Sequence, residues 1–339
     1  MSRTRRPSQT LFTLLLAMLL STPLAAMAEG KRQQVLVALP ALQALTAQLS
    51  EGTQIDVVRV PQQQAVPMES LGSALARLDP APLQRADAVV TLSRLWPADP
   101  LYAAARRQQL RTVEIDASRS WDAHMPAVAV VHVPANDVPW AAPSTAEQPL
   151  SPFVWLGPVN AMRMAALIAA DLARLSPPDA PRITANLSQL ESGLRQLKAE
   201  YGARMLALND VRVLSLATEF SYLFDEFGVY VEGVFARQDL DWSAADRAAL
   251  SAYLRERDIR VVVHKWPPAD DIAAAITAGG ARLVILDSGN PGLLADPSVR
   301  YDALLRSNLE ALLKAFDAKP EPATAPGAVA TTTLETHTR

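Results

Sequence analysis

The chain has 339 residues with no cysteine, 32 lysines and arginines against 35 aspartates and glutamates, and four histidines. Half of it is hydrophobic, which excludes a disordered chain and supplies enough apolar material for one or two cores. The formal net charge of -3 lacks the basic excess of a nucleic-acid binder, and the missing thiols exclude disulfide scaffolds, thiolate zinc sites, iron–sulfur clusters and cysteine nucleophiles.

In chain order, Arg3, Arg5 and Arg6 form a basic head and residues 11–20 an apolar run. Thr22 and Pro23 break it, and Ala26-Met27-Ala28 reads as a small-residue cleavage site. This is the order of a secretory signal, and the run is too short to span a bilayer. Residues 1–28 are therefore expected to be a cleaved signal peptide. Without a cysteine at the cleavage point the product is not lipidated, so it is expected as a soluble periplasmic protein.

Beyond the signal, short β-rich runs alternate with helical patterns. Residues 34–39 read as a buried strand, 55–60 as a strand of period two, and 88–92 and 112–115 as further strands. Helical stretches fall between them, over 70–78, 80–85 and 101–109. Strands alternating with helices argue for a parallel sheet with helical crossovers. Residues 134–152, with five prolines, read as an exposed loop. Met164, Leu167, Ile168, Leu172 and Leu175 then mark a helix that Pro177-Pro178 ends. A longer pattern over 180–208 carries Ile183, Leu187, Leu190, Leu194 and Leu197 at spacings of three and four. Strands restart at 211–216, 229–234, 260–263 and 283–286, with helices over 219–227, 243–257, 268–278 and 299–316. The last residues, 318–339, are rich in Ala, Thr and Pro and read as a disordered tail.

The expected architecture is α/β: two doubly wound lobes with parallel sheets, bridged by one long rigid helix. The boundaries drawn from this reading are an N-terminal lobe over 29–177, a bridging helix over 178–208 and a C-terminal lobe over 209–317.

No phosphate loop, dinucleotide fingerprint or nucleophile elbow is present. Of the histidines, His337 lies in the tail and His124 in a turn-like stretch, and His132 sits inside an apolar run as a hydrogen-bonded strand residue. An enzyme is not expected.

The block Ser151-Pro152-Phe153-Val154-Trp155-Leu156-Gly157-Pro158-Val159-Asn160-Ala161 resembles the Asp-Pro-His-x-Trp-Leu-Asp-Pro-x-Asn-Ala block of periplasmic zinc/manganese-binding proteins, the solute-binding proteins of metal ABC transporters. The resemblance extends over about residues 33–317 and takes in Glu219-Phe220-Ser221-Tyr222-Leu223, Phe227-Gly228-Val229 and Val284-Ile285-Leu286-Asp287. It implies a clamp of two α/β lobes on a rigid helix, the organisation already read from the alternation.

The resemblance also implies where a metal would sit, and there the chain departs from the pattern. At the three family positions that carry histidine, or Glu at the third, this sequence has Met68, Phe153 and Ala217; Asp287 alone keeps its type. One carboxylate does not make a zinc site, which wants four ligands. Glu69, next to Met68, and Glu219, two residues past Ala217, lie close by in sequence. His264 and Asp287 end strands at the edge where α/β sheets present ligand contacts. His264, Asp287 and Glu219 together would suit manganese or zinc with water completing the shell. In the other reading Glu219 serves its own helix dipole and His264 pairs with a carboxylate. Met68 and Phe153 either pack the lobes together or line a pocket for an organic or metal-chelate ligand. Trp155, Trp242 and Trp266 are candidate aromatic walls or core anchors.

Two functions follow from the resemblance. One is the periplasmic substrate-binding component of a zinc/manganese ABC transporter, capturing ligand between the lobes for an inner-membrane permease, with zinc or manganese as cargo and no catalytic cofactor. The other is a diverged accessory paralogue without tight metal binding. It would act by protein–protein contact, for instance with a homologous metal-binding protein, or bind a non-metal or metal-chelate ligand. A monomer with no nucleic-acid partner is expected in both cases.

Overall fold

The structure, a computed structural model, describes residues 32–317 apart from positions 63, 121, 123 and 144. The segment 1–28, the tail 318–339 and His337 lie outside the described residues.

The first sheet holds β1 (Gln33–Val37), β2 (Ile55–Arg59), β3 (Ala88–Thr91) and β4 (Val113–Asp116), all parallel in the order β2-β1-β3-β4. Between them run α1 (Pro40–Leu49), α2 (Met68–Ala76), α3 (Ala81–Gln84) and α4 (Leu101–Gln108). Two long helices follow, α5 (Pro158–Leu175) and α6 (Ala180–Leu206). The second sheet repeats the plan with β5 (Arg212–Ser215), β6 (Tyr230–Val234), β7 (Val261–His264) and β8 (Arg282–Ile285) in the parallel order β6-β5-β7-β8. Its helices are α7 (Ser221–Phe227), α8 (Ala244–Glu256) and α9 (Asp270–Ala278), and α10 (Asp302–Asp317) closes the described chain. In each sheet the chain goes first to one side of its first strand and then to the other. This is the doubly wound topology expected from the alternation, and it opens a crevice between the first and third strands at their carboxyl ends.

The 27-residue α6 is roughly 40 Å long. Its buried positions Ile183, Leu190, Leu194, Leu197, Tyr201 and Met205 follow helical spacing, and it packs on α1, α5, α7 and α10. Its N-terminal half is tied to the end of α1 and the turn after it by the Asn186 amide, which donates to the Leu49 and Glu51 carbonyls at 2.9 Å each. Its C-terminal end is tied to α10 through Glu310. The Arg204 guanidinium and the Tyr201 hydroxyl both donate to that carboxylate and hold it down at about 2.

The two halves are not separately cored. One apolar cluster runs from Val35 and Leu36 of β1 through Met164 and Ile168 of α5 and Leu194 of α6 to Val261 and Val263 of β7 and Leu305 and Leu309 of α10. The opposite face of the second sheet has its own cluster, with Leu214, Val262, Phe235, Trp242 and Leu250. Alternate strand residues thus feed two different cores, as the pleat requires. Polar links cross the same junction. Trp155, at 1% exposure, donates its indole N–H to the Ser288 carbonyl at 2.8 Å, and its own carbonyl accepts from the Tyr301 hydroxyl. Arg59 reaches the Ala295 carbonyl at 2.6 Å, and the Tyr222 hydroxyl donates to the Ser151 carbonyl at 3.0 Å. The Glu226 carboxylate accepts from Val159 N–H at 3.0 Å at the start of α5 and pairs with Lys198 at 3.0 Å. Gly157 makes room for it, since a Cβ there would lie 2.5 Å from Glu226 Oε1.

Three expectations need correction. The helix expected from residue 70 begins at Met68, because the ψ of 152° at Pro67 already sets the entry into the first turn. The helix expected from Glu219 begins at Ser221, which leaves Glu219 in the preceding turn. The stretch 134–152 is not wholly an exposed loop: Asn136 and Asp137 lay their side chains and backbone along Val234 and Ala236. There Val138 is buried and Trp140 meets Phe235 and Tyr253 edge-on.

Tyr301→Phe removes the donor to a buried carbonyl, and it is expected to lower unfolding free energy by about 1–3 kcal/mol in denaturant titration. Asp99 gives a pH test. Burial pushes its carboxyl up to about 6, against hydrogen bonds from Leu101 and Leu92 N–H, with the charges of Glu114 and Asp116 adding to the rise. A carboxyl raised on folding favours the folded state when protonated, so its contribution is complete below the ordinary value of 3.8 and lost as pH rises through about 6. Acidifying from about pH 7 to about pH 5 should therefore stabilise the protein by about 1 kcal/mol more than it stabilises Asp99→Asn, read as the difference in their melting shifts.

Candidate functional site

The residues at the family's ligand positions end up in packing rather than in a cage. Met68 opens α2 with its side chain buried, and its N–H donates to Asn290 Oδ1 at 2.8 Å. Phe153 is half-buried, edge-on to Trp155 with ring centroids 5.3 Å apart. Ala217 is buried beyond the end of β5, where the Ser215 hydroxyl turns back to its carbonyl at 2.6 Å. Glu69 projects into solvent.

Asp287, two residues past β8, has both carboxylate oxygens engaged by its own loop. Oδ1 accepts from Gly289 N–H at 2.7 Å and Oδ2 from Leu293 N–H at 2.5 Å. Its backbone is clamped by the Asn308 amide, which accepts from Asp287 N–H at 2.8 Å and donates to its carbonyl at 2.7 Å. Gly292 closes this loop with φ +54°, and a Cβ there would overlap the Asp287 carboxylate. Backbone N–H groups thus supply the positive partners that a cation would otherwise provide.

A cavity of about 380 Å³ lies at the carboxyl ends of β5, β6 and β7. Glu219, His264, Lys265, Trp266, Asp241 and Arg237 line it, with Ala217 and Asn136. It occupies the crevice between β5 and β7 that the strand order creates. His264 is buried at the end of β7, and its Nδ1 accepts the N–H groups of Lys265 at 2.8 Å and Trp266 at 3.3 Å. Burial lowers its pKa, opposed by the charges of Asp239 and Glu219 and aided by that of Lys265. An Nδ1 that accepts two backbone N–H groups leaves the ring proton on Nε2. Glu219 is 5% exposed; its Oε1 pairs with the Lys265 ammonium, and its Oε2 has no partner.

The structure therefore brings Glu219 and His264 to one cavity and puts Asp287 in a different loop, outside that lining. Among the described residues no group of three or more His, Asp and Glu side chains is placed to hold a metal ion. The reading in which the pair is structural is met by other partners: Glu219 pairs with Lys265 instead of serving a helix end, and His264 accepts backbone N–H groups instead of meeting a carboxylate. Trp155 is a core anchor, Trp242 packs at 4.8 Å on Phe235, and Trp266, 38% exposed, is a cavity wall. Lys265 was missed; its one sequence signal is its place between His264 and Trp266 just after a strand. The other two described histidines, His124 and His132, do not line this cavity. His132 Nδ1 bonds the Gln148 carbonyl at 2.7 Å in an isolated bridge, as its strand context suggested, and His124 is exposed.

The chain matches the family described as zinc-uptake complex component A, periplasmic, over residues 35–315. The high-affinity zinc uptake system protein ZnuA of Bacillus subtilis (strain 168) is 25% identical over 169 residues, covering 48% of this chain and 52% of the relative. The chain thus spans about half the length of the curated relative it matches. Among solved structures, the solute-binding protein FpvC from Pseudomonas aeruginosa in complex with Mn2+ superposes with a TM-score of 0.63 at 20% identity, covering 84% of this chain and 99% of that one. A Cd-bound periplasmic metal-binding protein from Candidatus Liberibacter asiaticus gives 0.64 at 15%, with coverage of 84% and 99%. These likenesses establish the fold, two parallel α/β lobes on a long helix. With the match running through both sheets, the chain belongs to the ZnuA family of periplasmic zinc-uptake components.

Proposed function

We propose that this protein is an exported, diverged member of the metal-type ABC importer system that works without holding a bare divalent ion at the family's position. One observation carries this reading: the carboxylate of Asp287, the sole family ligand type retained, is engaged on both oxygens by Gly289 and Leu293 N–H, and Met68, Phe153 and Ala217 offer it no imidazole companion. A divalent cation there would compete with both hydrogen bonds for the carboxylate's lone pairs and would find one carboxylate, far short of the four ligands zinc takes. The clamp itself is intact, so the protein keeps the outer form by which such components meet an inner-membrane permease. Its part is that of an accessory paralogue, or of a carrier for a ligand other than a naked ion. The basic head and apolar run of residues 3–20 support export to the periplasm through a cleaved signal. The engaged Asp287 also favours a structural part for that residue over the ligand set of Asp287, His264 and Glu219.

The mature protein, stripped with chelator and equilibrated with zinc or manganese, is expected to retain well under one equivalent of either ion by elemental analysis. Asp287→Ala should leave that value unchanged while lowering stability by about 1–3 kcal/mol through loss of two hydrogen bonds to a charged acceptor. Stoichiometric metal that disappears in Asp287→Ala would defeat the reading.

A further inference from the structure

The cavity at the end of β7, which includes Ala217 in its wall, holds an arrangement of Glu219, Lys265 and Trp266 that neither the retained Asp287 nor the lobe packing accounts for. Lys265 Nζ is paired with Glu219 Oε1 on one side and lies 4.4 Å from the centroid of the Trp266 ring on the other. A carboxylate facing an aromatic ring is the environment that selects an organic ammonium, by ion pairing and by attraction to the ring face. The second oxygen of the same carboxylate, Glu219 Oε2, is buried without a partner. An unpaired buried acceptor is costly, and a single ammonium tethered from one side leaves it unserved. The cavity that Glu219 helps to line is about 380 Å³, within the range of small-molecule pockets and far larger than an ion cage.

The charges on the lining point to the same ligand class. Arg237 is drawn away to Asp246 at 3.5 Å and to the Asp241 carbonyl at 3.3 Å, so Lys265 is the cation committed to Glu219. His264, neutral through burial, adds no positive charge. Asp241 adds a second carboxylate to the wall, and Leu216, Ala217 and Ala236 give apolar surface for a carbon skeleton.

We propose that this cavity binds a small organic amine, and that the Lys265 ammonium is a tethered occupant of the ammonium position which the ligand displaces. On binding, the ligand's N–H groups reach both oxygens of Glu219 while its carbon chain lies against Trp266. The Lys265 side chain swings to solvent, and no charge is left buried and unpaired. This proposal does not rest on the accessory reading above, since it concerns residues apart from Asp287 and the metal measurements.

The test is chemical rescue of the full mature chain with n-butylammonium chloride, which reproduces the lysine side chain. Lys265→Ala is expected to melt lower than the native protein. The melting temperature should be restored by n-butylammonium, with n-butanol and sodium chloride at matched concentration having no such effect. Binding of n-butylammonium to Lys265→Ala should be about tenfold tighter than to the native protein, because the tethered competitor is gone. In Lys265→Ala combined with Glu219→Gln the rescue should vanish. The proposal is overturned if butanol rescues equally, if the double variant is rescued as well as the single one, or if zinc alone restores stability. A native-protein measurement covers the case in which Lys265→Ala does not fold. The indole N–H resonance of Trp266, assigned with Trp266→Phe, should move saturably with n-butylammonium and not with n-butanol, and an unmoved resonance overturns the proposal.

Discussion

Trp155 is fully enclosed, its indole N–H taken by the Ser288 carbonyl and its own carbonyl by the Tyr301 hydroxyl, so the two sheets are held at one spacing by a side chain that neither can release alone. Around it the apolar cluster passes without a break from β1 through α5 and α6 to β7 and α10. Moving one half against the other would expose that cluster, at a cost that scales with the apolar area opened. The long helix alone does not make the clamp stiff. Stiffness comes from a core that belongs to both halves, with Arg59, Tyr222 and Glu226 closing its polar margins.

Within that frame, the exchange of ligand residues for Met68, Phe153 and Ala217 is self-consistent. Imidazoles without a metal would sit in this junction as half-satisfied polar groups, whereas a thioether, a phenyl ring and a methyl group simply pack. The retained Asp287 is the one group that still needs compensation, and the turn through Gly289 and Gly292 supplies it from the backbone. The chemistry of the junction has passed from coordination to packing and turn formation.

Much of the fold could be read from the residues. Period-two and continuous apolar runs marked all eight strands, and the spacing of Ile183, Leu190, Leu194 and Leu197 marked α6, because both signals are local to one element. The start of α2 was displaced because Pro67 suits the residue before a helix as well as it suits a loop. The pairing of Asn136 and Asp137 with β6 was hidden, since it uses side-chain amide and carboxylate groups in place of an alternating strand pattern. The cavity was least legible. Glu219 and Lys265 are 46 positions apart and meet only because β5 and β7 are neighbours in the sheet. Asp287, which also follows a strand, looked equivalent to His264 until the loop folded back on its carboxylate.

Lys265 covers the C-terminal cavity with one partly exposed side chain, and this sets a timescale. Such side chains exchange rotamers in picoseconds to nanoseconds, while separating elements that share a core belongs to the microsecond range or slower. Entry to this cavity is consequently governed by diffusion and by the lifetime of one ion pair, and a molecule can come and go many times while the clamp around it stays still.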